Sequence, residues 1–432
     1  MQTYKNFIDG QWVESSSGKT FTSSNPASEE VIGKFQASTA KDVELAVNAA
    51  VRAFPSWSST PAPVRGEILL KIARLLRQKK LLLGKLIVAE MGKVLKEARG
   101  DVQEAIDIFE YMAGEGRRLF GRTTPSELKD KMCFTVRKPF GVVGLITPWN
   151  FPIAIPAWKC APALITGNTI VLKPSSDTPL CAIEFVKVLH EAGLPKGVVN
   201  VVTGSGSDVG LPLVKHPKVR AVSFTGHKDT GKLLLQEAGI KKVSLELGGK
   251  NAIIVLDDAD LDLAVDGILW AGFGTTGQRC TATSRVIVHQ AVAKKVQEKL
   301  VARMKKLQIG SGVKKDVDVG PLINRAALEH VAKYVQIGVQ EGASLVCGGA
   351  VLRGKGFFFQ PTLFTKVKSS MCIAQEEIFG PVVSMIEVKD FAEAIRVCND
   401  SEYGLSAAVY TNNIRQALLA VDQIESGITY VN

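Results

Sequence analysis

Residues 142–179 read VVGLITPWNFPIAIPAWKCAPALITGNTIVLKPSSDTP. Two short runs in this stretch, Val142–Ile146 and Thr169–Lys173, are apolar and β-branched and lack the alternation of a half-exposed strand. Strands of that kind are buried on both faces, which calls for helices above and below a parallel sheet. The pattern recurs at Val198–Val202, Ala221–Phe224 and Val243–Leu245. Helical stretches such as 179–192 and 206–215 lie between the runs, and most runs are followed by Gly, Pro or Ser. This alternation predicts βαβ units and an α/β fold.

Upstream, Asn6–Ile8 and Trp12–Val13 flank Asp9-Gly10, a dipeptide suited to a tight hairpin turn with positive φ. A helix is expected from Thr39, with Thr39 as cap, Asp42 three residues on, and Val43, Ala46, Val47 and Ala50 as its apolar face. Residues 64–119 continue as helices, and 121–138 read as a separate hairpin. Downstream of Gly248-Gly249 a second α/β block begins. Its expected strands are Ala252–Leu256, Arg285–His289, Ser344–Cys347 and Ala407–Tyr410, and its expected helices are Leu261–Phe273, 291–306, 325–341 and 391–399. The domain boundary is placed near residue 248.

A chain of 432 residues accommodates two or three domains, and 46 % hydrophobic with 22 % charged residues is an ordinary globular balance. The net charge is +11, but the basic residues are interleaved with acids and form no long run. A solvated basic surface is expected, with no nucleic-acid partner. The seven cysteines form no CxxC pair, which predicts reduced thiols and no metal site. The opening MQTYKNFIDGQW has no secretory pattern, and no window reaches the ~18 apolar residues of a membrane span. A cytoplasmic protein is expected.

Two stretches approach nucleotide motifs. Gly204-Ser-Gly206-Ser-Asp-Val-Gly210 resembles the dinucleotide fingerprint, but its third glycine comes one residue late. Gly226-His227-Lys-Asp-Thr-Gly231-Lys-Leu233 is nearly a P-loop, yet Leu233 cannot hold Mg²⁺ where Ser or Thr is needed, which argues against an NTPase. What remains is a strand ending at Phe224–Gly226 before a helix whose free N–H groups suit a phosphate.

Cys280 follows a glycine-rich turn, and a loop tip beside Arg279 would expose the thiol and favour its thiolate. Glu246 ends a strand ahead of Gly248-Gly249, where a carboxylate is placed to activate water. The two prolines around Trp149-Asn150-Phe151 fix a turn that would aim the Asn150 amide as an oxyanion donor. Each of these has an ordinary structural explanation: a buried cysteine, a surface glutamate, a rigid turn.

Taken together, PWNFP at 148–152, KPSSDTP at 173–179, FTGHKDTG at 224–231, ELGGK at 246–250, GQRC at 277–280 and EEIFGP at 376–381 resemble the aldehyde dehydrogenase superfamily in order and spacing, from about Asn6 to the last residue. GQRCTATSR and the Ile155–Lys159 segment are most similar to 2-oxoglutarate semialdehyde (2,5-dioxovalerate) dehydrogenases. The resemblance implies a Rossmann-like dinucleotide-binding domain over 1–248, with 121–138 as an oligomerisation hairpin, and an α/β catalytic domain over 249–432.

It also implies NAD(P)-dependent oxidation of an aldehyde to a carboxylic acid. Cys280 would be the nucleophile, Asn150 the oxyanion donor and Glu246 the base that hydrolyses a thioester. Trp149, Lys173, Ser176, Gly206, Gly210, Phe224, Gly226, His227, Gly231, Glu377 and Phe379 would contact the coenzyme, and Phe151, Trp158, Gly274, Arg279 and Thr281 would line the substrate pocket.

Several positions depart from the family's pattern. His227 replaces the usual Ser, and Ser176 replaces the Glu of many NAD-preferring members, so NADP is expected to serve at least as well as NAD. Gly274 stands where relatives that bind acidic semialdehydes often carry Arg. Uncharged aldehydes are therefore expected ahead of 2-oxoglutarate semialdehyde. The family pattern also continues for some tens of residues past Asn432, a stretch that supplies an inter-subunit strand. A dimer of lowered activity is accordingly expected. Two other readings stay open: CoA-dependent acylation, which Glu246 opposes, and a non-catalytic structural relative.

Overall fold

The computed structural model describes Met1–Asn432, and the chain divides into two compact units. The first comprises Met1–Ser24, Val31–Met91 and Ala98–Glu246, and the second comprises Asn25–Glu30, Gly92–Glu97 and Leu247–Asn432.

In chain order the first unit contains β1 (Asn6–Ile8), β2 (Gln11–Val13), β3 (Thr20–Ser24), β4 (Val31–Gln36), α1 (Ala40–Ser59), α2 (Ala62–Met91) and α3 (Leu95–Glu115, whose first turn groups with the second unit). There follow β5 (Thr123–Thr124), β6 (Cys133–Phe134), β7 (Val142–Ile146), α4 (Ala154–Ile165), β8 (Thr169–Lys173), α5 (Pro179–Glu191), β9 (Val199–Val201), α6 (Leu211–Lys215), β10 (Val219–Thr225), α7 (Lys228–Ala238) and β11 (Lys242–Glu246). The main sheet runs β11-β10-β7-β8-β9-β1-β2. Its first five strands are parallel, and the β1–β2 hairpin adds an antiparallel edge. Asp9 and Gly10 both take positive φ in the hairpin turn (55° and 78°), and the 121–138 segment forms the small β5–β6 pair.

All five residues of β7 and of β8 are buried, as their continuous apolar composition requires. The chain moves from β7 through β8 to β9 in one direction, then returns to place β10 on the other side of β7. That reversal is a topological switch point, and in open α/β sheets ligands settle beyond the carboxyl ends of the strands at such a point. Thr39 and Asp42 form the expected capping box on α1. The Gly204–Gly210 stretch closes as a five-residue π turn, Gly206–Gly210. An i→i+5 turn absorbs one extra residue, and this accounts for the late third glycine.

The second unit contains β12 (Asn251–Val255), α8 (Leu261–Phe273), β13 (Thr283–His289), α9 (Gln290–Met304), α10 (Arg325–Gln340), β14 (Ser344–Cys347), β15 (Thr362–Thr365), α11 (Cys372–Gln375), β16 (Val382–Val388), α12 (Phe391–Asn399), β17 (Ser406–Tyr410), α13 (Ile414–Gln423) and β18 (Ile428–Val431). Its sheet runs β14-β15-β16-β13-β12-β17-β18, parallel except for β14. Ile254, Ile287, Val382, Ile386 and Val409 form the core of one face with α10, α11 and α12. Ile253, Val255, Val286 and Val288 pack under α8 and α9 on the other. The sequence reading did not foresee β15, β16 and β18, because only the register with neighbours distinguishes such short apolar runs from buried helix or loop.

Glu90, at the end of α2, is fully buried. Its carboxylate accepts the Leu180 and Cys181 N–H groups, each at 2.8 Å, and the Ser23 hydroxyl at 3.2 Å, so it caps the start of α5. Burial pushes its pKa up to about 7, against the pull of these donors. A carboxyl whose folded pKa is raised contributes stability that is present below its unfolded value and is lost as pH rises through the folded value. We predict that stability falls between about pH 4.5 and pH 7 by on the order of 3 kcal/mol through this group. Denaturant unfolding of Glu90→Gln across that range should show the slope removed, and a slope equal to that of the native chain would exclude Glu90 as its source.

Candidate active site

In the first unit the predicted residues gather at the carboxyl edge of the parallel strands. Trp149, Asn150 and Phe151 follow β7, Lys173 ends β8, Ser176 follows it, Gly206 and Gly210 follow β9, Gly226 and His227 follow β10, and Glu246 ends β11. Parallel pairing aligns these ends: Ile146 pairs with both Lys173 and Phe224, and Thr225 pairs with Glu246. Asn150 is buried at 3 % exposure, and Trp149 and Phe151 are half-buried.

Lys173 is buried, and desolvation lowers its pKa to about 8 while Asp177 opposes the shift. The Ser176 hydroxyl donates to the Gly204 carbonyl at 3.0 Å. At Gly226 a Cβ would stand 2.5 Å from the Phe224 ring, so the ring and a side chain cannot share the turn. Gly231 is buried in the first turns of α7. His227 caps that helix: its Nδ1 accepts from the Asp229 N–H at 3.3 Å. A cation, a hydroxyl and a helix start at a switch-point edge suit the phosphates and ribose of a dinucleotide.

One residue here escaped the sequence reading. Lys159 is buried in the middle of α4 and donates to the Ser223 hydroxyl at 2.8 Å. Burial lowers its pKa to about 8, and the nearby Glu246 carboxylate works against that shift. Glu246 itself is exposed. The available signal was a lone cation in the otherwise apolar helix AIPAWKCAPALI. Trp158, its neighbour, is 44 % exposed.

In the second unit the motifs occupy the opposite, amino edge of the strands. ELGGK leads into β12, GQRC precedes β13, and EEIFGP precedes β16. These three strands are adjacent. Glu377 accepts the Gly249 N–H at 2.9 Å, and a side chain at Gly248 would collide with the Glu377 carboxylate. Lys250 is 1 % exposed and its ammonium has no hydrogen-bond partner. Burial pushes its pKa down to about 7; Arg285 adds to that shift and Glu377 opposes it. Phe379 is held at φ +54°, a strained conformation for a bulky residue.

Cys280 is half-buried, but the turn before it is not the exposed tip that its glycines suggest. Gly274 through Arg279 are all buried. Thr275 and Thr276 take φ +53° and +59°, which costs of order 1–3 kcal/mol each and persists only when neighbours impose it. Glu97 supplies part of that constraint: its carboxylate accepts the Thr275 N–H at 2.9 and 3.0 Å and faces the Thr275 hydroxyl at 3.3 Å. Thr276 donates to the Gly320 carbonyl at 3.0 Å, and the Gln278 amide bridges Pro321 and Ile323.

The Arg279 guanidinium turns to the Trp270 and Ala271 carbonyls (2.6 and 3.1 Å) and lies 4.2 Å over the Trp270 ring. A Cβ at Gly274 would lie 3.1 Å from both Glu97 and Arg279, so a larger residue there must displace that pair. Thr281 is exposed. No group of three His, Cys, Asp or Glu side chains is arranged to hold a metal ion, and no helix is long and apolar enough to cross a membrane.

The aldehyde dehydrogenase family model matches residues 12–432. The chain is 46 % identical to the alpha-ketoglutaric semialdehyde dehydrogenase of Bacillus subtilis (strain 168), over 100 % of this chain and 90 % of the relative. It is 42 % identical to the 2,5-dioxopentanoate dehydrogenase of Saccharolobus solfataricus, over 100 % and 91 %. Among solved structures, betaine aldehyde dehydrogenase from Staphylococcus aureus in complex with NAD+ superposes with a TM-score of 0.98 at 38 % identity, over 99 % of this chain and 87 % of that one. An E. coli NADP-dependent enzyme superposes equally well, with a TM-score of 0.98 at 38 % identity over 100 % and 90 %. With the α/β architecture and both strand-edge clusters in place, the chain belongs to the aldehyde dehydrogenase family. It is an oxidoreductase that converts an aldehyde to a carboxylic acid with NAD or NADP.

Because a buried donor deprived of its acceptor costs about 1–3 kcal/mol, Glu97→Ala is expected to destabilise the protein by that amount through the Thr275 N–H. Denaturant melts of the variant give the check, and an unchanged midpoint would mean the left-handed turn is held without Glu97.

Proposed function

We propose that Cys280, Glu246 and Asn150 carry the chemistry. Cys280 attacks the aldehyde carbon as a thiolate, and the resulting oxyanion is received by the Asn150 amide and the Cys280 N–H. When bound, NAD or NADP would supply the hydride acceptor for oxidation at the thiohemiacetal carbon, which leaves a thioester on Cys280. Glu246 takes a proton from water as the water attacks the thioester carbonyl, which releases the acid and regenerates the thiolate. Lys173 and Ser176 would hold the adenosine ribose and Glu377 the nicotinamide ribose, Phe379 would pack near the nicotinamide ring, and the 226–231 helix start would receive the pyrophosphate.

The environments of four other cysteines support this choice. Burial raises the thiol pKa of Cys160 to about 12 and of Cys372 to about 11, and it raises those of Cys347 and Cys398. Thiols held protonated are poor nucleophiles. Cys280 is half-buried and ends a turn whose backbone is clamped on both sides. Cys280→Ala is expected to abolish turnover, and Glu246→Gln to keep the first burst of NAD(P)H while stalling deacylation. Burst kinetics separate the two steps, and normal steady-state turnover by Cys280→Ala would refute the assignment.

Ser176 is neutral where a carboxylate would repel a 2′-phosphate. NADP is therefore accepted at least as well as NAD, and Ser176→Glu should lower kcat/KM for NADP about tenfold (~1.4 kcal/mol) relative to NAD. A ratio of kcat/KM for NADP to that for NAD left unchanged by the substitution would remove Ser176 from the specificity.

The substrate we propose is a short semialdehyde of a dicarboxylic acid, as the names of the relatives at 42–46 % identity suggest. A second reading, an uncharged aldehyde, is favoured by the commitment of Arg279 to α8. Comparing kcat/KM for 2-oxoglutarate semialdehyde with that for a medium-chain aldehyde decides between them. Self-association is proposed through the α7 region, which exposes Leu233, Leu235 and Ile240, and a dimer is the expected species in light scattering.

A further inference from the structure

Asn251 opens β12 and is 4 % exposed. Its Nδ2 donates to the Cys280 carbonyl at 2.7 Å and to the Ala282 carbonyl at 3.0 Å. Its Oδ1 accepts the Ser406 N–H at 3.1 Å and the Ser406 hydroxyl at 3.0 Å. All four hydrogen-bonding capacities of the amide are thus used. The orientation is unambiguous: the Ser406 N–H needs an acceptor and the two carbonyls need donors, so a flipped amide would lose bonds on both sides. The Asn251 backbone lies in a central strand, between β13 and β17. Gly249, two residues earlier, approaches the same Cys280 carbonyl so closely that a Cβ would stand 2.6 Å from it. The peptide after Cys280 is therefore gripped by the Asn251 amide and closely approached by the bare backbone of Gly249.

We propose that Asn251 is a positioning residue for the nucleophile: it fixes the peptide that follows Cys280 and so sets the direction of the Cys280 side chain. This rests on the reading of Cys280 as the nucleophile. A hydride acceptor, an oxyanion donor and a thiolate work together only within a few tenths of an ångström, and a misplacement of about 1 Å costs on the order of 100-fold in rate. Asn251 touches neither substrate nor coenzyme in this account, so its removal should slow formation of the thioester without weakening coenzyme binding. Ser406 offers an internal control. Ser406→Ala deletes one bond to the far side of the same amide and leaves both bonds to residues 280 and 282 intact.

The test uses the full chain and compares Asn251→Ala, Asn251→Asp, Ser406→Ala and Cys280→Ala. Asp keeps the size of Asn but replaces the NH2 donor with an acceptor facing two carbonyls, so it serves if the alanine variant does not fold. The measurements are the single-turnover rate of NAD(P)H formation, NAD(P) affinity by equilibrium titration, and the rate of Cys280 alkylation by iodoacetamide. For Asn251→Ala or Asn251→Asp we expect a 10- to 100-fold slower single turnover, an altered alkylation rate, and coenzyme affinity within twofold of the native chain. Ser406→Ala is expected to turn over within twofold of the native rate. A native single-turnover rate in a folded Asn251 variant overturns the proposal, as does an equal loss in Ser406→Ala. If Cys280→Ala stays active, the reading of the nucleophile fails instead, and the two failures are told apart by that variant alone.

Discussion

The parallel register of three neighbouring strands governs the second unit. Asn251 pairs with Thr283 across β12 and β13, and Arg285 pairs with Ser384 across β13 and β16. Parallel strands start at the same edge, so the residues just before them are brought together whatever their separation along the chain. Gly249, Cys280 and Glu377 are collected in this way, and the Gly249 N–H to Glu377 bond is the direct result. The first unit applies the same constraint at the other end of its strands, where Ile146, Lys173 and Phe224 share a register. Parallel sheets thus do the assembling in both units, at the carboxyl edge in one and the amino edge in the other.

Assembly by register leaves charged groups in costly places. Lys159, Lys173 and Lys250 are all buried, and desolvation lowers each pKa toward neutrality. Glu97 is raised by the same cause, although the Thr275 N–H, Lys93 and Arg279 all favour its charged form. An apolar residue would be cheaper at any of these positions. Perturbed groups of this kind gather where binding or catalysis needs them; here Lys173 and Lys250 sit on the two strand edges that carry the motifs, and Lys159 and Glu97 reach from α4 and α3 to Ser223 and Thr275. Backbone strain collects there too, with Thr275, Thr276 and Phe379 at positive φ in the segments around Cys280 and Glu377.

Much of this was legible from the chain alone. The continuous apolar runs of β7 and β8, the capping box on α1 and the Asp9-Gly10 turn are local, and local patterns report local structure. PWNFP, ELGGK and GQRC pointed to candidate residues through residue type and position, and EEIFGP did so only through the resemblance to the family. Tertiary structure decided the rest, for reasons of packing that no window of sequence contains. Whether the turn before Cys280 is an exposed tip or a buried clamp depends on Glu97, 178 positions away. Whether Arg279 faces a ligand or α8 depends on where Trp270 stands. Lys159 could be read as an ordinary helix lysine until β10 placed the Ser223 hydroxyl against it. Asn251 looks like the first residue of a strand until β13 and β17 bring Cys280 and Ser406 to its amide. Residue type specifies what a group can do, and only the long-range pairing of strands determines what it does it to.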